Sequence, residues 1–515
     1  MQKLTKEEAA RLLNEPNGPE RLMAQAPAAF DAAWALFLED GSPAACAFLC
    51  RCAKRKEYRA RINGLLGQGR GPLRAALAAP SPKLRKNAAR LCGALGEAAD
   101  ADCLIGALER EEQRFVKPSQ LLALGALGGE AAQAFLAAYR VEPPAGPEAA
   151  RHAQEEQAAL DTARRAFLRL PKHAFTGLEA PVEVELRGPD KLGAALAGEL
   201  RKLGCAPAAV HASSVRLHTR DLAGLYRARS FFELLLPISA GAALESKAIA
   251  RKAGAFFSRI LPACHSGEGP FGYRVELRGA GLNRGGLARE IAQALDCPLL
   301  VNAPGDYEIE LRVERRANGG ANLYAKLYTL ADERFAYRLG ALPASMHPAT
   351  AAAVLQNAGA FLTPNARVLD PCCGSGTLLI ERGFLSPCAS LTGVDIAHAA
   401  VEIARQNAAA ANCPAKFIAN DCLRFRAERP YDELVANLPF GNRVGSHADN
   451  RQLYEGMLRR LPQWLRPGGT AILYTMEFTL LKTLLREKPN LRLVSQARTA
   501  AGGLTPMAFV LKVNP

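Results

Sequence analysis

The sequence predicts a multidomain protein of mixed class: α-helical repeats at the N-terminus, small α+β units in the middle, and a doubly wound, largely parallel α/β sheet at the C-terminus. Three observations predict it. A helix–turn–helix pattern recurs between Leu65 and Tyr139, period-two alternation begins at Val182, and strand and helix alternate from Arg367 to the end.

The N-terminal region, placed at 1–176, rests on the recurrence. Leu84 to Gly96 spaces its apolar residues as a helix and ends in Ala94-Leu95-Gly96; the same ending returns thirty-two residues later as Ala126-Leu127-Gly128. Each is followed by an acidic, Ala-rich segment and an apolar helix, Cys103–Leu108 and then Ala134–Tyr139. One such unit cannot bury its own apolar face, so stacked repeats are expected. A polar helix from Glu148 to Leu170 closes the region.

The texture then changes. Val182–Leu186 and Val215–Thr219 read as strands around an amphipathic helix, Asp190–Leu203. A second stretch reads as strand Tyr273–Leu277, helix Gly286–Leu295, and strands Tyr307–Val313 and Asn322–Leu327. Two small α+β units are expected, at 177–240 and 241–345. In the last domain, 346–515, strands are expected at Arg367–Leu369, Leu391–Val394, Lys416–Ile418, Glu433–Ala436, Thr470–Tyr474, Leu491–Gln496 and Met507–Val513, with helices between them, as a doubly wound sheet requires.

Net charge is +15, spread as +5, +4 and +6 over residues 1–176, 177–345 and 346–515, which favours a polyanionic partner. The thirteen cysteines include no CxxC pair and no set at metal-ligand spacing, so reduced thiols and no metal are expected. No signal sequence and no apolar run near the roughly 18 residues of a membrane span is present, which points to a soluble cytoplasmic protein with no membrane partner.

Four motifs carry the chemistry. Val368-Leu369-Asp370-Pro371-Cys372-Cys373-Gly374-Ser375-Gly376-Thr377 runs a short strand into a glycine turn that opens a helix, where backbone amides can receive a carboxylate. Leu379 stands where a dinucleotide fingerprint needs a third small residue, and no Gly-Lys-Ser/Thr is present, so a P-loop is excluded. Gly393-Val394-Asp395-Ile396 ends the next strand, with Asp395 twenty-five residues after Asp370, placed to accept from ribose hydroxyls; an isolated Asp here would be read as a helix cap. Ala419-Asn420-Asp421-Cys422 follows the third strand, where a turn aspartate is the competing reading. Asn437-Leu438-Pro439-Phe440-Gly441 follows the fourth. An amine conjugated to a ring is a poor nucleophile, and acceptors for its hydrogens hold it in line. Asn437 Oδ1 and the Leu438 carbonyl can supply two, Pro439 stiffens the turn, and Phe440 can stack on an extruded base.

The Asp-Pro-x-Cys-Gly-Ser-Gly-Thr string resembles motif I of class I methyltransferases, and Asn-Leu-Pro-Phe resembles the Asn-x-Pro-Phe/Tyr motif of amino-methyltransferases. Residues 180–515 resemble the THUMP-containing RNA guanine-N2 methyltransferases. The resemblance also rests on Ala344-Ser-Met-His-Pro-Ala-Thr350, on Asp221-Leu222, Arg227-Ala-Arg229 and Leu236-Pro237 in a ferredoxin-like domain, and on Asn450 and Leu453-Tyr454; the repeats at 1–176 resemble the HEAT type. It implies a Rossmann-like catalytic domain and S-adenosylmethionine as cofactor, held by Asp370, Pro371, Cys372, Gly374, Ser375, Gly376, Thr377, Asp395, Ile396, Asp421 and Cys422. It implies catalysis at Asn437, Leu438, Pro439 and Phe440, and a THUMP domain at 241–345 that grips RNA. Transfer to guanosine N2 in tRNA is the leading expectation, with rRNA guanine or adenine N6 as alternatives, and the repeats offer a surface for a protein partner. A non-catalytic RNA-binding scaffold is the alternative of another kind. Arg338-Leu-Gly340 departs from the basic stretch that a THUMP domain carries there. Arg443 is placed to touch a phosphate, and Lys54, Arg55, Lys56, Arg59 and Arg61 form a basic run that reads as a solvated helix face or an RNA contact.

Overall fold

The computed structural model describes residues 4–514 except positions 16, 68, 145, 168, 318, 343–344, 441–446 and 500–503. The chain divides into two compact units, Met1–Leu170 with Ala303–Asp306, and Pro171–Asn302 with Tyr307–Pro515. The helical region therefore ends at 170 rather than 176. Strand Ala174–Phe175 pairs with His265–Ser266 and draws this segment into the second unit.

The first unit is helical from Lys6 to Arg165 around one apolar core. Its thirty-two-residue recurrence is visible in the packing. Gly96 and Gly128, the two repeat endings, both take φ of 74°, which glycine adopts without Cβ strain. Gly93 and Gly125, also thirty-two apart, are both points of close helix approach: a Cβ on Gly93 would stand 3.0 Å from Ala123 Cα, and one on Gly125 2.7 Å from Ala163 Cα. Half-buried or buried ion pairs Arg70–Asp100, Arg85–Glu111 and Arg114–Glu156 tie successive turns together.

The second unit holds two large sheets besides that two-stranded pair. The central one has eight strands in the order Pro207–Val210, Ser214–Thr219, Val182–Arg187, Glu233–Ala242, Ala321–Leu327, Ile309–Arg315, Phe271–Arg278, Leu300–Asn302. The boundary expected at 240/241 falls inside strand Glu233–Ala242. Leu234 and Leu235 pair with Val182–Arg187, whereas Leu236 to Ala242 pair with Ala321–Leu327. The two expected α+β units thus share one strand and form one sheet. Helices Gly193–Lys202, Ser246–Cys264 and Arg284–Leu295 contribute apolar residues to one core on this sheet. Away from that core the strands carry ion pairs instead, among them Arg187–Glu314, Arg216–Glu185, Arg274–Glu310 and Arg312–Glu233.

All seven strands expected after Arg367 are present. They are Ala366–Asp370, Cys388–Asp395, Ala415–Ala419, Tyr431–Asn437, Leu465–Thr475, Leu491–Arg498 and Met507–Val513. In chain order they lie 3-2-1-4-5-7-6, parallel except for Met507–Val513, which pairs antiparallel with both of its neighbours. Both faces are apolar, as a helix-covered sheet requires. Val435 joins the core under helices Pro348–Asn357, Thr377–Leu385 and His398–Ala410, while Leu434 and Ala436 join the core under His447–Trp464 and Phe478–Arg486.

The central and catalytic sheets are pinned at Glu381, whose side chain is fully buried. Its carboxylate accepts from Arg229 Nε and Nη2 at 2.7 and 2.9 Å and from Tyr337 Oη at 2.7 Å. Replacing Gly125 by Ala is expected to cost the helical unit about 1–3 kcal/mol, because the new methyl meets backbone rather than a yielding side chain. A fall in the chemical denaturation midpoint, with the slope unchanged, checks this.

Candidate active site

Parallel strands place all their C-terminal ends on one rim, and the four motifs meet there. Asp370 ends the first strand and is 1% exposed. Its Oδ1 accepts from the Cys372 amide at 3.1 Å. Burial, with a smaller contribution from Asp395, raises its carboxyl from 3.8 to about 8. The chain then turns through Gly374 at φ 52° and Gly376 at φ 78° into helix Thr377–Leu385. No side chain caps that helix start, so its first amides face the turn. A Cβ at Gly376 would lie 3.2 Å from both Ala404 Cβ and the Phe417 ring, so the turn is close-packed from behind. Ser375 and Thr377 are buried and hydrogen-bonded to each other at 3.2 Å.

Asp395 ends the second strand. Its Oδ2 accepts from Gly374 N at 2.9 Å and its Oδ1 from Ala397 N at 2.9 Å, so the carboxylate joins the first two motifs. Ile396 beside it is 78% exposed, an apolar side chain standing bare at the strand tip. Asp421 does the work of a turn residue: Oδ1 accepts from Leu423 N at 2.9 Å, and Oδ2 lies 3.6 Å from exposed Arg424. Cys422 is buried beside Cys372, bringing the third motif against the first; that neighbour and burial push the Cys372 thiol up. Pro371 sits between Asp370 and Cys372 and is buried.

The Asn437–Phe440 turn is held from below. Leu438 N donates to Tyr474 O at 2.9 Å. The Pro439 carbonyl accepts from Tyr454 Oη at 2.8 Å and from Asn450 Nδ2 at 3.3 Å. Tyr454 is itself fixed by Thr475 Oγ1 at 2.6 Å. Phe440 is half-buried, 6.1 Å from the Tyr474 ring. The first and fourth strands are direct neighbours, so the glycine turn and this turn share one edge. Gly441–Ser446, including Arg443, lie outside the described residues.

Two positioning groups escaped sequence reasoning. Asn407, fully buried on helix His398–Ala410, donates to Ser375 O at 2.9 Å and Gly340 O at 3.0 Å, and accepts from Gly340 N at 3.1 Å. Ser345 Oγ hydrogen-bonds to Ser375 Oγ at 2.9 Å. Gly340 and Ser345 are therefore tied to the glycine turn and its supporting helix, and Gly340, expected in the THUMP-like region, is held by the catalytic domain. Only the asparagine in Ala404-Arg-Gln-Asn-Ala408, a polar residue on an apolar helix face, signals this in sequence. Among the described residues no group of three His, Cys, Asp or Glu is placed to hold a metal, and no helix is long and apolar enough to cross a membrane. Asn407→Ala is expected to speed amide hydrogen exchange at Gly374–Thr377 about tenfold while leaving the central sheet unchanged, measured by mass spectrometry.

Residues 336–506 match the RMKL-like methyltransferase domain family UPF0020. A tRNA (guanine(6)-N2)-methyltransferase of Thermus thermophilus is 34% identical over 175 residues, 33% of this chain and 51% of that protein. The chain thus spans about half the length of that curated relative. The crystal structure of TrmN from Thermus thermophilus superposes with a TM-score of 0.51 at 24% identity, covering 64% of this chain and 99% of that one. SMU.472, a methyltransferase complexed with SAH, superposes at 0.52 and 16% identity, covering 65% and 98%. The family match begins ten residues before the expected domain start at 346, consistent with the ties of Gly340 and Ser345 to the glycine turn and its supporting helix. Residues 336–506 thus match a methyltransferase domain in sequence, and solved methyltransferases share the fold.

Proposed function

We propose that the protein transfers a methyl group to the exocyclic N2 amine of a guanosine in tRNA. The observation that carries this reading is the shared edge of the glycine turn and the Asn437–Phe440 turn. The tRNA substrate is supported by the guanine-N2 specificity named for the Thermus relative.

The residues present fit the cofactor. Gly374 and Gly376 bare the backbone, the uncapped helix start offers amides to a carboxylate, and Asp395 stands at the strand tip where ribose hydroxyls would donate. Exposed Ile396 offers a flat apolar contact for the adenine, and Asp421 and Cys422 close the far side. S-adenosylmethionine supplies an electrophilic methyl group on a sulfonium. Asn437 Oδ1 and the Leu438 carbonyl accept from the two amine hydrogens, which aims the nitrogen lone pair along the line of transfer. Tyr454 and Asn450 fix the turn through the Pro439 carbonyl, so both acceptors are pre-placed. Phe440 stacks on the extruded base. The amine proton leaves after nitrogen has become cationic, so no strong general base is required. The central region, ferredoxin-like and THUMP-like, grips the RNA; the N-terminal HEAT-like repeats serve a partner.

Nucleoside mass spectrometry of tRNA and rRNA, with and without the gene, tests the reading: N2-methylguanosine should be lost from tRNA, and loss from rRNA alone would redirect it. Asn437→Ala should reduce turnover at least about a hundredfold, the scale of a lost electrostatic contact at a reacting centre, while cofactor affinity by calorimetry stays within about twofold.

Asp370 adds a pH signature. Its folded-state carboxyl titrates near 8 against an ordinary 3.8. The stability this neutral carboxyl contributes is full below 3.8 and is lost as pH rises through about 8. A cationic cofactor alongside favours the carboxylate. Binding at pH 7 should therefore release a proton, read as a dependence of calorimetric enthalpy on buffer ionisation, and Asp370→Asn should abolish that dependence.

A further inference from the structure

The crossover from the third to the fourth strand of the catalytic sheet, residues 420–430, contains no helix among the described residues, whereas helices span the crossovers on either side of it. A parallel crossover normally lays a helix on the sheet. Here a cavity of about 630 Å³ opens at the N-terminal rim of the first four strands, reaching from the sheet face served by only two helices to the ends of helices Thr377–Leu385 and His398–Ala410. It lies at the opposite rim from the cofactor turn.

Strand alternation shows that this face is built to be polar there. Arg367 lies two residues before Leu369, Ser390 and Thr392 lie four and two before Val394, and Lys416 lies two before Ile418. All three reference residues belong to or pack on the core under His447–Trp464 and Phe478–Arg486. Side chains two apart share a face. Arg367 is in register with Ser390, and Thr392 with Lys416, so the polar positions are neighbours across strands. A doubly wound sheet covered by helices is apolar on both faces, and three adjacent strands break that rule only at this cavity.

The cations also lack close carboxylate partners, although Arg367 lowers the Asp432 carboxyl at longer range. Lys416 and Arg426 are exposed, and among the described residues neither they nor Arg367 forms an ion pair. The Arg367 guanidinium lies 5.2 Å over the Tyr431 ring, and Glu428 is the one carboxylate among the lining side chains. Three cations, hydroxyl donors and aromatic walls in a volume typical of small-ligand sites make a pocket for a planar organic anion. We propose that this cavity is a second binding site, distinct from the methyl-transfer centre, and that it takes a nucleotide through its phosphate.

Calorimetric titration of the full chain with GMP, and with guanosine as the phosphate-free control, tests it. Saturable GMP binding is expected, about tenfold tighter than guanosine and unaffected by saturating S-adenosylmethionine. Lys416→Glu and Arg426→Glu should each weaken GMP about tenfold while S-adenosylmethionine affinity, which also reports that the domain is folded, stays unchanged. Displacement of GMP by a short mixed-sequence RNA would identify a nucleotide within a chain as the source; failure to displace it would identify the free nucleotide. Absence of saturable GMP binding, binding indifferent to both charge reversals, or binding that S-adenosylmethionine displaces would overturn the proposal. None of these outcomes depends on which base the enzyme methylates.

Discussion

One carboxylate that water does not reach holds the second unit together. Glu381 is fully buried, and a lone buried charge would be costly by several kcal/mol. It is stable because Arg229 offers two donors and Tyr337 a third, and because the guanidinium is also stacked 4.2 Å over Phe384. Glu381 lies on the helix that the glycine turn opens. The same helix thus carries uncapped amides at its start and, one turn on, the anchor of the central sheet. The central sheet and the glycine turn are referenced to a single rigid rod.

The first three strands after Arg367 were legible because each carries a short apolar run ending in a small or acidic residue, and the order of four motifs fixed their roles as expectations. Sequence reading failed where partners are far apart in the chain. Arg229 and Glu381 are separated by 152 residues, and Asn407 and Gly340 by 67, so no local pattern joins them. Strand Glu233–Ala242 was missed for a different reason. Pro237 within Leu234–Ile238 lacks an amide donor and argues against a central strand, yet here it sits where the pairing with Ala321–Leu327 is irregular.

The N-terminal recurrence shows the complementary case. The Ala-Leu-Gly endings are readable, but their physical partner, the close helix approach at Gly93 and Gly125, becomes meaningful only once Ala123 and Ala163 are seen against them. Small residues at that spacing set helix separation, a property that hydrophobic periodicity does not encode.

Strand Glu233–Ala242 also governs how the central region can be inherited. Its first half completes one set of strands and its second half completes another. A cut at 240 would leave each portion with a raw backbone edge, a template for unwanted pairing. The two portions are therefore not exchangeable parts. Recombination that grafts the central region onto a different C-terminal domain must carry the strand, and both of its neighbours, as a single piece.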